Sequence, residues 1–167
     1  QGRLKAIITT NFDTLIETAF RQKGINLQTI VSDETYYEPV KPHTCRLYKI
    51  HGSVRDFNSL IDTVSQKAVG LSPAKQLVLQ QILCDSEIVF MGFSGADFDF
   101  GENYIPISKA VGQGSHVTWI LRPASTPNAI VKYFQSQYGA SFQLVEEELS
   151  DYFNQLGLEY GLSLIHI

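Results

Sequence analysis

The stretch 7-IITTNFDTLIE-17 decides how the chain is read. From Leu4 to Thr9 runs a short apolar segment with β-branched residues, the pattern of a buried strand. At Thr10-Asn11-Phe12-Asp13 the sequence turns polar. Leu15, Ile16, Ala19 and Phe20 then recur at helical spacing, with Asp13 placed to cap the helix and Gly24 to end it. Strand passes into helix with only a polar turn between them. An asparagine, which has no titratable group, sits in that turn.

The rest of the chain repeats the step. Strands are predicted over Leu27–Ser32, Arg46–Ile50, Glu87–Met91, His116–Leu121 and Ser141–Leu144. The nearly apolar Glu87–Met91 run reads as a strand covered on both faces. Helices are predicted over 74–83, introduced by Pro73, and over Thr126–Tyr138 and Glu146–Leu156, with loop followed by helix across Asp99–Val111. Glu34–His43, with two prolines, reads as an irregular connection, and the Tyr36-Tyr37 pair as packing. Alternating strands and helices predict a doubly wound, Rossmann-like α/β fold: a parallel sheet with helices on both faces.

Composition narrows the function classes. The 167 residues suffice for one domain with a real core, and 44% hydrophobic with 18% charged residues is an ordinary globular balance. A net charge of −4 without a Lys/Arg cluster argues against a nucleic-acid face. No apolar run approaches the roughly 20 residues of a membrane span. Cys45 and Cys84 are far apart and belong to no C-x-x-C pair, so a structural zinc is not expected. Reduced thiols in such a chain point to the cytoplasm.

Folds of this kind bind ligands at the carboxyl ends of their strands. Three segments end a strand in polar or glycine-rich residues: Thr10-Asn11-Phe12-Asp13, His51-Gly52-Ser53 and 92-GFSGAD-97. In a parallel sheet all three would lie along one rim. Asp97, Asp99 and Glu102 read as solvated helix-start carboxylates, not a metal cluster.

Taken together, Thr9-Thr10-Asn11-Phe12-Asp13, Lys49-Ile50-His51-Gly52-Ser53 and Gly92-Phe93-Ser94 resemble, in order and spacing, the sirtuin family of nicotinamide adenine dinucleotide (NAD) users. The resemblance covers roughly residues 4–122. The chain lacks the four zinc cysteines usual in sirtuin deacylases, and Thr10 stands where they have Gln. This version is similar to bacterial sirtuin-like domains of antiphage defence. The resemblance implies hydrolysis of NAD to nicotinamide and ADP-ribose, with no metal. It implies Asn11 as the catalytic amide, Asp13 at the nicotinamide end and His51 as general base. Thr10, Gly92 and Ser94 would complete the NAD site.

Such chemistry explains an asparagine at the rim. Releasing nicotinamide leaves an oxocarbenium-like ribose, which needs a positioned water or acceptor more than a strong nucleophile. An amide both donates and accepts. An imidazole titrates near neutrality, as a general base should. Against this stand simpler readings: Asn11 and Asp13 as helix caps, His51 as a turn residue, and Gly92 with Ser94 as a tight turn. Three other functions remain open. One is a sirtuin-type protein deacylase. Another is a serine hydrolase using Ser94 in a G-x-S-x-G-like elbow, with His116 the histidine that follows it. The third is a non-catalytic nucleotide sensor.

The family's glycine-rich phosphate loop follows a first strand upstream of Gln1, so the domain over 1–161 is expected to be partial, lacking that strand and loop. Residues 162–167, LSLIHI, match one reading frame of a transposase-library adapter and are expected to be adapter-derived. A fused sensor or effector domain and a homo-oligomer are the partners expected besides NAD. Neither nucleic acid nor membrane is expected.

Overall fold

The computed structural model describes residues 4, 6–39, 41–84, 87–95 and 116–160. The loop and helix predicted across 99–111, the carboxylates Asp97, Asp99 and Glu102, and residues 162–167 lie outside the described residues. The chain is mixed α/β and divides into two compact units, Gln1–Leu79 and Gln80–His166, each built on a parallel three-stranded sheet. This is the α/β, Rossmann-like class expected from the alternation of elements.

In the first unit the strands are β1 (Ala6–Thr9), β2 (Leu27–Ile30) and β3 (Cys45–Lys49), in the order β1-β3-β2. Between β1 and β2 lies α1 (Leu15–Gln22), and Gly24 ends it. With φ +65°, Gly24 donates its N–H to Arg21 O (3.1 Å) while Ile25 N reaches Phe20 O (3.0 Å), a paired closure that a left-handed glycine permits. Between β2 and β3, where an irregular connection was expected, a short helix α2 (Asp33–Tyr36) forms. Thr35 nucleates it: its hydroxyl donates to Ser32 O (2.6 Å) and accepts from Val31 N (3.3 Å). Of the tyrosine pair, Tyr36 is buried against Tyr48 with ring centroids 5.5 Å apart, whereas Tyr37 is exposed.

After β3 come a 3-10 turn (Phe57–Ser59), α3 (Val64–Val69) and α4 (Pro73–Cys84). Sequence reading missed α3, although 63-TVSQ-66 is a capping box. Gln66 N donates to Thr63 Oγ1 (3.2 Å) and Thr63 N to Gln66 Oε1 (3.0 Å).

Side chains alternate across a strand, so Leu47 and Lys49 share one face of the first sheet and Arg46 and Tyr48 the other. The first face meets α1, through Lys49 and Glu17; the second meets α2, through Tyr48 and Tyr36. Helices thus cover both faces of this sheet.

The second unit contains β4 (Ile88–Met91), β5 (Val117–Leu121), α5 (Ala129–Tyr138), β6 (Phe142–Glu146) and α6 (Leu149–Tyr160), with strand order β4-β5-β6. Its core is aromatic: Trp119, fully buried on β5, stacks on Phe90 at 4.3 Å and meets Phe134 edge-on at 5.5 Å. The expectation that β4 is covered on both faces is corrected. Val89 and Met91 are 42% and 40% exposed, so only alternate side chains of this strand are covered. An unbroken apolar run did not distinguish a one-faced strand from a two-faced one. No described helix is long and apolar enough to cross a membrane.

A buried cation in the first unit has a pH signature. Lys75 of α4 extends its ammonium to Ile50 O (3.4 Å), 3.9 Å from the Asp33 carboxylate and 5.8 Å from the centre of the Tyr36 ring. Burial pulls its pKa below the ordinary 10.5, and Asp33 offsets only part of that. Burial likewise pushes the Tyr36 phenol up. Below 10.5 the unfolded chain therefore holds Lys75's proton more tightly than the folded one, and stability rises with pH through that window. Tyr36 acts oppositely above its ordinary 10.0, equally in chains with and without Lys75. The stability of the wild type relative to Lys75→Met is expected to grow from neutral pH toward 10.5, as read by urea denaturation. A flat difference would contradict the burial argument.

Candidate functional site

Strands β1 and β3 are parallel neighbours, with Thr9 paired to Lys49 at their carboxyl ends. Asn11 and His51 each lie two residues beyond that last pair. Register therefore brings the first two polar segments side by side, as a parallel sheet requires. The two turns are also bonded to each other: Ile50 N donates to Thr9 O (3.1 Å) and Val54 N to Phe12 O (3.0 Å). The Phe12 and His51 rings lie 6.1 Å apart, tilted by 34°.

The β1–α1 turn is shaped locally. Asn11 N donates to Thr9 Oγ1 (3.1 Å), and Asp13 Oδ1 accepts from Leu15 N (3.0 Å). The N-cap position belongs to Thr14, one residue later than expected, yet the carboxylate of Asp13 supplies the hydrogen bond at the helix start. Asn11 caps nothing. Its side chain is exposed and makes no hydrogen bond among the described residues. Thr10 beside it is half-buried.

The β3 turn is built tightly. Gly52 has φ +90°, and a Cβ placed there would lie 2.3 Å from Ser59 O and 2.6 Å from Ser59 Oγ. Ser59 is held in place because its Oγ accepts from Ser53 N (3.0 Å) and donates to Asp56 O (2.6 Å). His51 is 3% exposed, and its carbonyl accepts from Ile61 N (2.9 Å). His51 is thus buried while Asn11 is exposed.

Sequence reading gave Lys49 no role of its own. It is 1% exposed, and its Nζ donates to Phe12 O (3.2 Å), to Asp13 O and to Glu17 Oε1 (3.1 Å). The period-two pattern of β3 carried the signal. A charge on the face that also carries buried Leu47 must find acceptors at the strand end.

Gly92 and Ser94 follow β4 in the second unit. Gly92 has φ +60° and needs glycine for conformation, since among the described residues an added Cβ would meet only Leu149 Cδ1 at 3.6 Å. The position short of space is Gly95, where a Cβ would lie 2.9 Å from Ile130 Cγ2. Ser94 is exposed, and its carbonyl accepts from Asn128 Nδ2 (2.6 Å), whose Oδ1 caps α5 through Val131 N (3.0 Å). The serine-hydrolase pairing of Ser94 with His116 is overturned. His116 precedes β5 and accepts from Ile88 N (2.9 Å) at the amino edge of the sheet, whereas Ser94 follows the carboxyl edge. A four-residue strand, roughly 13 Å, separates the two edges. The residues in left-handed conformation around Ser94 are Gly92 and Gly95, not Ser94.

A groove of about 410 Å³ opens beside α1 and β2, lined among others by Glu17, Arg21, Thr29 and Arg55. None of Thr10, Asn11, Asp13 and His51 lines it, so the rim chemistry lies elsewhere. The donor set at the rim suits a polyhydroxylated, amide-bearing ligand: an exposed amide, an exposed carboxylate and a buried imidazole on adjoining turns. Among the described residues no three His, Cys, Asp or Glu side chains are grouped as metal ligands.

A family model described as SIR2-like domain matches residues 5–143, most of the chain. No curated protein matches it.

Two stability contrasts follow from this geometry. Gly52→Ala is expected to cost about 2 kcal/mol or more, because strain and overlap with Ser59 add, whereas Gly92→Ala should cost only about 1 kcal/mol of strain. Asp13→Ala should cost about 1 kcal/mol through the lost helix-start bond, and Asn11→Ala less than about 0.5 kcal/mol. Urea denaturation of the four variants measures both contrasts.

Proposed function

Since the chain belongs to the SIR2-like domain family, whose members are NAD-dependent enzymes, we propose that it cleaves NAD to nicotinamide and ADP-ribose. The observation that supports this reading is the bonded pair of turns after β1 and β3, which adjoin an exposed Asn11 amide and a buried His51. In the reaction the bond between ribose C1′ and the nicotinamide nitrogen breaks, and the electron pair leaves with neutral nicotinamide. Water adds to C1′ and gives up one proton to His51, which passes it on to solvent.

Each residue has a part suited to its chemistry. Asn11 holds the attacking water or a ribose hydroxyl, and Asp13 orients the nicotinamide end. His51 takes the proton. Thr10 adds a hydroxyl beside Asn11. No charged nucleophile is needed, because a neutral leaving group departs from a sugar that can carry developing charge. By likeness of motif, the biological setting is bacterial antiphage defence, in which NAD depletion arrests the infected cell. A fused domain or self-association would supply control.

The test is nicotinamide release from NAD by the full-length protein, followed by chromatography. Wild type should give nicotinamide and ADP-ribose in equal amounts. Asn11→Ala should lower turnover by about a hundredfold or more while leaving the fold intact. His51→Asn should lower it comparably, with some loss of stability because the ring is buried. Transfer of an acyl group from a peptide to ADP-ribose would reassign the domain as a deacylase. Absence of NAD binding would overturn the reading altogether.

A further inference from the structure

The two rim turns are joined by something the motifs do not explain. Lys49 stands at the end of β3, two residues before His51, on the face that meets α1. Its ammonium does not reach solvent; the side chain is 1% exposed. It crosses instead to the other turn, where it takes the carbonyls of Phe12 (3.2 Å) and Asp13 and the Glu17 carboxylate (3.1 Å). These are the peptide oxygens that immediately follow Asn11 and Phe12 in the chain. From the opposite face of the same sheet, Lys75 brings a second buried ammonium to Ile50 O (3.4 Å), the carbonyl of the peptide that enters His51.

We propose that Lys49 is a positioning residue for NAD cleavage, one that sets Asn11 and His51 at a fixed separation. The proposal rests on the hydrolase reading above. Lys49 touches no reacting atom in it; it acts through the Phe12 and Asp13 carbonyls. A compact cation suits this task because three oxygens can surround one nitrogen, whereas a planar guanidinium spreads its donors in a fork. Glu17 completes the set. Its second oxygen is buried and has no hydrogen-bond partner among the described residues, so the carboxylate is committed to Lys49.

The experiment uses the full-length protein and two readouts. Lys49→Met alone leaves the Glu17 charge buried, so it is paired with Glu17→Leu, which removes both charges and lets the site close apolar. The double variant is expected to keep its far-UV circular dichroism, lose about a hundredfold in kcat and hold KM within about threefold. Lys49→Arg keeps charge and fold and should lose about tenfold in kcat, since its fork cannot reproduce the three contacts. In both variants the Asn11 side-chain amide resonance should shift or split in nitrogen–proton NMR spectra recorded without ligand. A merely structural lysine would lower melting temperature and leave kcat and that resonance unmoved. Folded variants with wild-type kcat and an unshifted Asn11 amide would overturn the proposal. If wild type itself does not cleave NAD, the hydrolase reading fails, and the Asn11 resonance alone decides whether Lys49 sets the rim.

Discussion

An ammonium group cannot leave water without acceptors to replace it, and Lys49 has left water almost entirely. Burying such an ion costs several kcal/mol even after relaxation, and two carbonyls with one carboxylate offset that cost here. The chain is bound by this. With β1 and β3 in register at Thr9 and Lys49, the ammonium reaches back into the β1–α1 turn, and the turn must present its carbonyls inward. The peptide planes of residues 12 and 13 are then no longer at liberty, and α1 must begin just beyond them. A Leu at position 49 would bury more cheaply. A charged residue with one Glu17 oxygen still unsatisfied is therefore better understood as fixing geometry than as adding stability.

What could be read from the sequence follows from which forces act locally. The strands were found within one or two residues because apolar β-branched runs bounded by Gly, Pro and polar residues leave few alternatives. Gly24 was identified as a helix end because a left-handed closure needs it. That Asn11 and His51 share a rim was legible too, since the strands of a parallel sheet all end on one side, but the neighbouring of β1 and β3 was not, because parallel direction leaves strand order open. The short α2 was hidden because its nucleating bonds come from Thr35, whose neighbours read as a loop. The capping box at Thr63 was present in the letters and overlooked. Lys49 was the largest omission. A lysine at a strand end usually reads as a surface residue, and only the buried face it shares with Leu47 says otherwise. The exposure of alternate β4 residues depends on what packs against them, which no run of four apolar letters records.

The two rim side chains stand in opposite environments, and this bears on how the chemistry can be dissected. The Asn11 side chain is exposed and makes no hydrogen bond among the described residues, so its amide is open to whatever ligand arrives. His51 is held inside by a turn that only glycine can make, with its own carbonyl taken by Ile61. An acid–base group gains from that confinement, because a buried imidazole is oriented before the substrate comes and needs no reorganisation during the reaction. The same confinement couples His51 to folding. Loss of activity on changing it could arise from either cause, whereas the same loss at Asn11 could come only from the site. The residue with no titratable group is thus the cleaner probe of the catalytic reading, and the titratable one the cleaner probe of how the rim is held.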